Sequence, residues 1–399
     1  MAFLKRSIAI SYILMVMTSI RIPGIPLGVG EILMLFSIIV LLFRHKENDE
    51  KQLNSFHQFS VLNSYWTLFF ISLFCGAIIN LLEVDRTISY TTLFAYIFNW
   101  FIIYIMVQRL TIDDVIDIVR YLAVYGTIFY FVLYLYSVNI SRYLFSIPLY
   151  YSGGARFSGG AKNPNQLALF FSMMPFISAY FMKSCFLNKK ITRGIGWAFV
   201  CCGGILIGIK CNSDAIIGAW TIGLAFFCYR LSFKWIHNTL VKISIIFFAV
   251  IFIFLVFHNE IFNRFERWFN DLDAGGSRQI LWYEGWKASK DSFLIGFGPG
   301  SFCGPTQAEA HNTIIDFLTQ GGLLAVTALM ILFYHVYASA ANDIILSSAV
   351  IALILYSMGH FVGRQPVFYF YLLFGMAAGI KDSKIKQSLD ESRHKYLRH

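Results

Sequence analysis

Apolar positions in this chain come in runs of near-membrane-spanning length, separated by short polar breaks. A hydrocarbon core is crossed by about 20 apolar residues of helix. Within it each backbone N–H and C=O must bond inside its own segment, so such runs are helical. The spacing predicts about twelve transmembrane helices. The first, 7–20, is short for a span and forms a hairpin with 26–43 across Arg21 and a Pro-Gly turn. Spans 59–82 and 90–107 follow, then a polar amphipathic segment, 108–121, and a fifth span, 122–138. Spans 166–182, 194–209, 215–229, 243–257, 323–337, 344–361 and 366–380 complete the set. No internal repeat is visible, nor the paired broken helices that mark secondary transporters.

Composition agrees with this pattern. The chain is 57% apolar and only 14% charged, with a mean hydropathy of +0.63, whereas a soluble domain carries about 25% charged residues. The expected class is therefore an all-α polytopic membrane protein, with residues 1–399 forming one integral membrane domain. No small-residue cleavage site follows the first apolar run, so no removable signal peptide is expected. The net charge of +10 would raise the question of nucleic acid in a soluble protein. Here it is assigned to cytoplasmic loops, which collect Lys and Arg, and no nucleic-acid partner is expected. With twelve spans both termini lie on one side. That side holds the larger share of the Lys and Arg, including those of the basic tail 381–399, so both termini are expected to be cytoplasmic. The seven cysteines sit mostly in apolar runs with no C-x-x-C spacing, which indicates neither a disulfide framework nor a zinc site. A bridge between Cys211 and Cys303, both on the outer side, stays open.

This topology puts two polar stretches, 139–165 and 258–322, on the outer side. The longer one begins with an aromatic-basic segment, 262–270, that reads as an interfacial helix or an aromatic belt. Asp271 and Asp273, followed by Ala-Gly-Gly, read as a surface turn before a metal pair. Ser277 stands where an N-cap belongs, and a helix follows over 278–290 with Arg278 in its first turn and Leu281, Trp282, Gly285 and Trp286 toward one face. Trp282 and Trp286 suit stacking on sugar faces or packing against neighbours. The loop 291–304, rich in glycine, offers backbone amides that can cradle an anion. His311-Asn312 opens a further helix that is expected to stop at Gly321-Gly322, and a helix start favours anions. A histidine and an arginine at two helix starts outside the membrane form a candidate anion-binding and proton-transfer site.

These residues carry a resemblance. Arg278-Gln-Ile-Leu-Trp282, then Phe293-Leu-Ile-Gly-Phe-Gly298-Pro-Gly300, then His311-Asn312 through Gly321-Gly322, with Arg156 and Asn163-Pro164-Asn165 upstream, resemble the O-antigen ligase and polymerase superfamily of bacterial membrane glycosyltransferases. The resemblance implies a glycosyltransferase C type helical bundle with a helical periplasmic loop in the inner membrane. It implies a donor glycan on undecaprenyl diphosphate, attacked with inversion by an acceptor hydroxyl, with no metal and no cofactor. Arg278 then holds diphosphate and His311 acts near the acceptor. Asn165, Trp282 and Asn312 fall on the substrate side. The family commonly has a Ser-Arg pair between spans seven and eight, where this chain has Ser213-Asp214. Lys210 or Arg156 is expected to supply the second cation, Lys210 without the two-pronged grip of a guanidinium. The leading expectation is a polymerase joining lipid-linked repeats, with a chain-length regulator as partner. A ligase acting on lipid A-core is the alternative. A glycan transporter is a second alternative, and it predicts ionisable residues in mid-span.

Overall fold

The computed structural model describes residues 1–21, 27–43, 57–84, 86–235, 278–303 and 308–396. The expected span 243–257, the segment 262–270, Asp271, Asp273 and Ser277 lie outside the described residues. Helices α1 (Ala2–Val16), α2 (Val29–Leu42), α3 (His57–Ile79), α4 (Tyr90–Arg109) and α5 (Ile112–Asn139) are followed by α6 (Pro164–Ser172), α7 (Met174–Leu187), α8 (Ile191–Lys210) and α9 (Asp214–Trp235). After the gap come α10 (Arg278–Ser289), α11 (Thr313–Ala340), α12 (Ile344–Gly359) and α13 (Pro366–Tyr396). Among the described residues, seven helical stretches are long and apolar enough to cross a membrane, and two shorter apolar helices, α2 and α12, accompany them. The strand content among the described residues is one two-residue hairpin, Tyr143–Leu144 against Ile147–Pro148. The protein is thus an all-α membrane protein.

The pillar of the bundle is α13. Residues 367–380 are buried on every side, as expected of a helix that is apolar all round. It packs on α11, α5 and α12. Gly379 sits where an added Cβ would lie 2.1 Å from the Ser339 carbonyl oxygen, so only a glycine lets α13 and α11 come this close. The helix runs on to Tyr396, so most of the basic tail continues the pillar.

Three expected boundaries move. The segment 108–121 is not a separate element, because Thr111 and Asp114 form a capping box (3.2 and 3.1 Å) that starts α5 and carries it unbroken to Asn139. Asp114 and Asp117 in these first turns hold Lys5 of α1 at 2.7 and 2.8 Å. The expected single span 166–182 is two helices, parted at Met173 just before Pro175. Proline has no N–H and clashes with the preceding turn, and the carbonyls near the break are taken up by neighbours. Trp220 Nε1 donates to Ser172 O at 2.8 Å and the Tyr371 hydroxyl donates to Phe170 O.

The third change concerns 311–337. The helix expected to stop at Gly321-Gly322 instead changes direction at Gly322 (φ 63°, ψ −164°) and continues to Ala340. The glycine-rich loop fills the interruption. Phe297 and Gly298 amides donate to the Thr319 and Gln320 carbonyls at 2.9 and 2.8 Å, and the Leu323 amide donates to Phe293 O at 2.8 Å. These amides are therefore engaged within the protein, where the sequence reading offered them to an anion. The apolar pattern shows no paired broken helices, whereas α6/α7 and α11 are both interrupted.

Gly322→Ala tests this junction. The new Cβ would lie 2.3 Å from backbone atoms of Leu294 and Ile295, in a conformation nearly confined to glycine. We expect a loss of roughly 3 kcal/mol, read as a lower thermal midpoint in detergent. Gly218→Ala, whose Cβ meets nothing within 4 Å, is expected to leave the midpoint unchanged or slightly raised.

Candidate functional site

The site lies at one end of the bundle, where α10 and α11 begin, α8 gives way to α9 and α12 gives way to α13. Asn312 is the N-cap of α11. Its Oδ1 accepts the Ile314 and Ile315 amides at 3.0 and 3.2 Å. Asp316, one turn in and fully buried, accepts the Ala310 amide at 2.9 Å and the Asn312 amide at 3.3 Å. The residue between those two amides is His311, which adopts φ 53°. A non-glycine residue pays about 1–2 kcal/mol for the left-handed region. Asp316 supplies the restraint by gripping the amide on either side.

His311 stacks on a second histidine. The rings of His311 and His360 are 5.6 Å apart and 18° from parallel. Both Nδ1 atoms are buried without a hydrogen-bond partner in the structure. His360 is locked from behind: its carbonyl accepts the Thr313 hydroxyl at 2.9 Å, and that same hydroxyl accepts the Val362 amide at 3.0 Å. The sequence reading placed His360 inside a span and passed over it. The available signal was a polar residue after Met358-Gly359 at the end of an apolar run. Arg364, also missed, pairs with Glu309 and packs its guanidinium 5.3 Å from the centre of the Phe361 ring.

Arg156 joins the cluster from the loop before α6. Its Nε donates to Cys211 O at 3.2 Å and its Nη2 to Asn165 Oδ1 at 3.0 Å. Asn165 is held in turn by Asn163 Oδ1 on its amide and by the Tyr356 hydroxyl on its carbonyl. Asn165 thus orients Arg156. Burial first, and the nearby Arg278 charge second, pull the Arg156 pKa down, with Asp214 acting in the opposite sense. Arg278, the first residue of α10, is half-buried. Burial also lowers the His311 pKa; Glu309 opposes this, and Arg278 and Arg364 add to it. Arg156, Arg278 and His311 therefore share one electrostatic environment in which positive charge is in excess. Such a place suits a multivalent anion together with a neutral imidazole.

The other expected site residues fall less centrally. The Lys210 ammonium lies over the Tyr134 ring, 5.8 Å from its centre, so its side chain turns to the flank of α5. Asn312 serves the helix start through its oxygen. Trp282 is half-buried with Nε1 unpartnered. Trp286 is 47% exposed and meets Phe293 edge-on at 6.1 Å. Gly285 faces Ile315 and Cys303, which docks α10 on the start of α11. Cys211 and Cys303 are buried free thiols and form no bridge.

Two outcomes are expected here. Asp316→Leu leaves two buried amides without an acceptor, at roughly 1–3 kcal/mol each, and frees His311 from its turn; thermal unfolding should show the loss. The lowered His311 pKa means that below its ordinary value, about 6.5, the unfolded chain binds a proton that the folded chain does not. Stability therefore falls as pH drops through that range. Thermal midpoints at pH 7.5 and 5.5 should differ more in the wild type than in His311→Gln. No known family model and no curated protein matches this sequence, so a functional reading rests on the chemistry of these residues.

Proposed function

We propose that this protein is a bacterial inner-membrane glycosyltransferase of the O-antigen ligase and polymerase type, acting as a polymerase of lipid-linked glycan repeats. The observation that supports it is that the Arg278 charge acts on both Arg156 and His311 at one end of an apolar helical bundle. In this reading the bundle is of the glycosyltransferase C type with about twelve spans, the site is periplasmic and both termini are cytoplasmic. The donor is a glycan on undecaprenyl diphosphate. The acceptor hydroxyl oxygen forms a bond to the anomeric carbon while the bond from that carbon to the phosphate oxygen breaks. The electron pair of the broken bond leaves on the diphosphate, and the hydroxyl proton goes to an imidazole nitrogen of His311. Arg278 and Arg156 neutralise the charge that grows on the diphosphate, where fixed cations in a dry site act most strongly. Burial and the arginines favour neutral His311, the form able to accept a proton. The acceptor chain belongs to a second lipid-linked repeat. Transfer to lipid A-core by the same donor chemistry would make the protein a ligase.

One feature favours a different reading. The interruptions in α6/α7 and α11 are of the kind found where transporters bind substrate, and a glycan flippase would use them. Bond formation separates the two readings.

With purified protein, a lipid-linked repeat unit and gel or mass analysis of the product, Arg278→Ala and His311→Ala are each expected to lower polymer formation about 10²–10⁴-fold. Arg278→Lys should fail nearly as badly, because it loses the two-pronged grip. Normal chains from either alanine variant reject the site, and substrate counterflow without a new glycosidic bond supports transport. In cells, gene loss should leave single repeats on the core; bare core with accumulated lipid-linked polymer would identify a ligase.

A further inference from the structure

At the end of the bundle away from the histidines, α5 and α8 part to enclose a cleft of about 830 Å³. Its walls are almost entirely apolar, with Ile128 and Phe131 on α5 facing Val200 and Leu206 on α8. The helices touch at Gly203, where an added Cβ would lie 2.7 Å from Thr127 Cγ2, and part toward Gly196. An added Cβ at Gly196, one of the lining residues, would meet no atom within 4 Å. From Arg120 to Phe131 the cleft follows α5 for about 16 Å at 1.5 Å per residue. That is close to half of a hydrocarbon core of about 30 Å, the depth of a single leaflet.

One rim of the cleft is basic. Arg120 and the exposed Arg193 line it, and the Arg6 guanidinium lies 5.4 Å from the centre of the Tyr121 ring, also a lining residue. Nearby, Asp114 and Asp117 are held by Lys5 at 2.7 and 2.8 Å, and Asp117 also by Arg120 at 2.7 Å. Lys5 and Arg120 are thus paired with these carboxylates, and Arg6 and Arg193 add further positive charge along the rim. An apolar slot one leaflet deep, with surplus positive charge at its open end, is complementary to one kind of molecule.

We propose that this cleft binds an anionic phospholipid of the leaflet opposite the histidine site, one acyl chain lying between α5 and α8 and the phosphate held at Arg193 and Arg6. This is independent of the glycosyltransferase reading: it uses none of the same residues and places a lipid at the other end of the bundle.

Trp197 lines the cleft and stacks on Phe181 at 4.7 Å, which provides a probe. Full-length protein in detergent is titrated with phosphatidylglycerol or phosphatidylcholine, each brominated along its acyl chains. Bromine quenches nearby tryptophan, and the difference between wild type and Trp197→Phe isolates the Trp197 signal. Quenching of that signal is expected at a roughly fivefold lower mole fraction of the anionic lipid for each engaged arginine. Gly196→Phe, whose Cβ meets nothing within 4 Å, adds a ring to the wall of the slot and should remove the quenching by both lipids. Arg193→Glu should keep the quenching and lose the preference for phosphatidylglycerol. Equal quenching by the two lipids in the wild type, or quenching undiminished in Gly196→Phe, overturns the proposal. So does a dimer mass accompanied by no quenching, which would assign the cleft to a second copy of the chain.

Discussion

A backbone amide or carbonyl placed in an apolar bundle must find a partner inside the protein, and this requirement shapes most of what is specific here. Regular helices meet it by themselves. The two places where the helices are interrupted do not, and each is repaired from outside. Pro175 interrupts one helix, and Trp220 and Tyr371 reach across to nearby carbonyls. Gly322 interrupts the other, and the loop around Gly296 and Gly298 lays its own backbone into the opening. Gly76 completes the second repair from α3, since its added Cβ would lie 2.6 Å from the Gly298 amide. The glycines of this loop permit backbone to meet backbone, a structural duty that resembles an anion cradle only when read in one dimension.

The same requirement explains how a strained histidine is held. His311 lies at the edge of the bundle with buried amides on either side, and a single carboxylate, Asp316, satisfies both. A left-handed residue between two fixed amides has little freedom left. The cost of the turn is met by hydrogen bonds the helix start needs in any case. Thr313, the next residue but one, ties the His360 loop to the same helix start. The two imidazoles are thereby positioned by one turn of α11, and the Arg278 charge acts on His311 from a helix that packs on α11.

Charge is divided between the two ends of the molecule. Opposite the site, Lys183 pairs with Asp343, Lys381 with Asp113, and Lys5 with Asp114 and Asp117, each joining one helix to another. At the site end Arg156 is held by neutral oxygens from Cys211 and Asn165. Neutral acceptors orient a guanidinium and leave its charge available, whereas a carboxylate would cancel it. The first arrangement fastens helices; the second orients a guanidinium through uncharged groups.

The helical class and the position of most helices are legible in the residues alone, and Arg278, His311 and Arg156 stand out there as polar groups at or ahead of helix starts. They are legible because hydrophobic run length, helix-start residues and polarity are local properties. Only the tertiary structure decided that α13 is the central pillar, that the glycine loop repairs α11, that Lys210 turns to Tyr134 and that His360 stacks on His311. Each of these depends on which surfaces meet between segments that are separate in the chain. A periodic pattern records that a face is apolar without recording its partner. His360, carried at the tail of an apolar run, looks like part of a span until His311, almost fifty residues earlier in the chain, is folded against it.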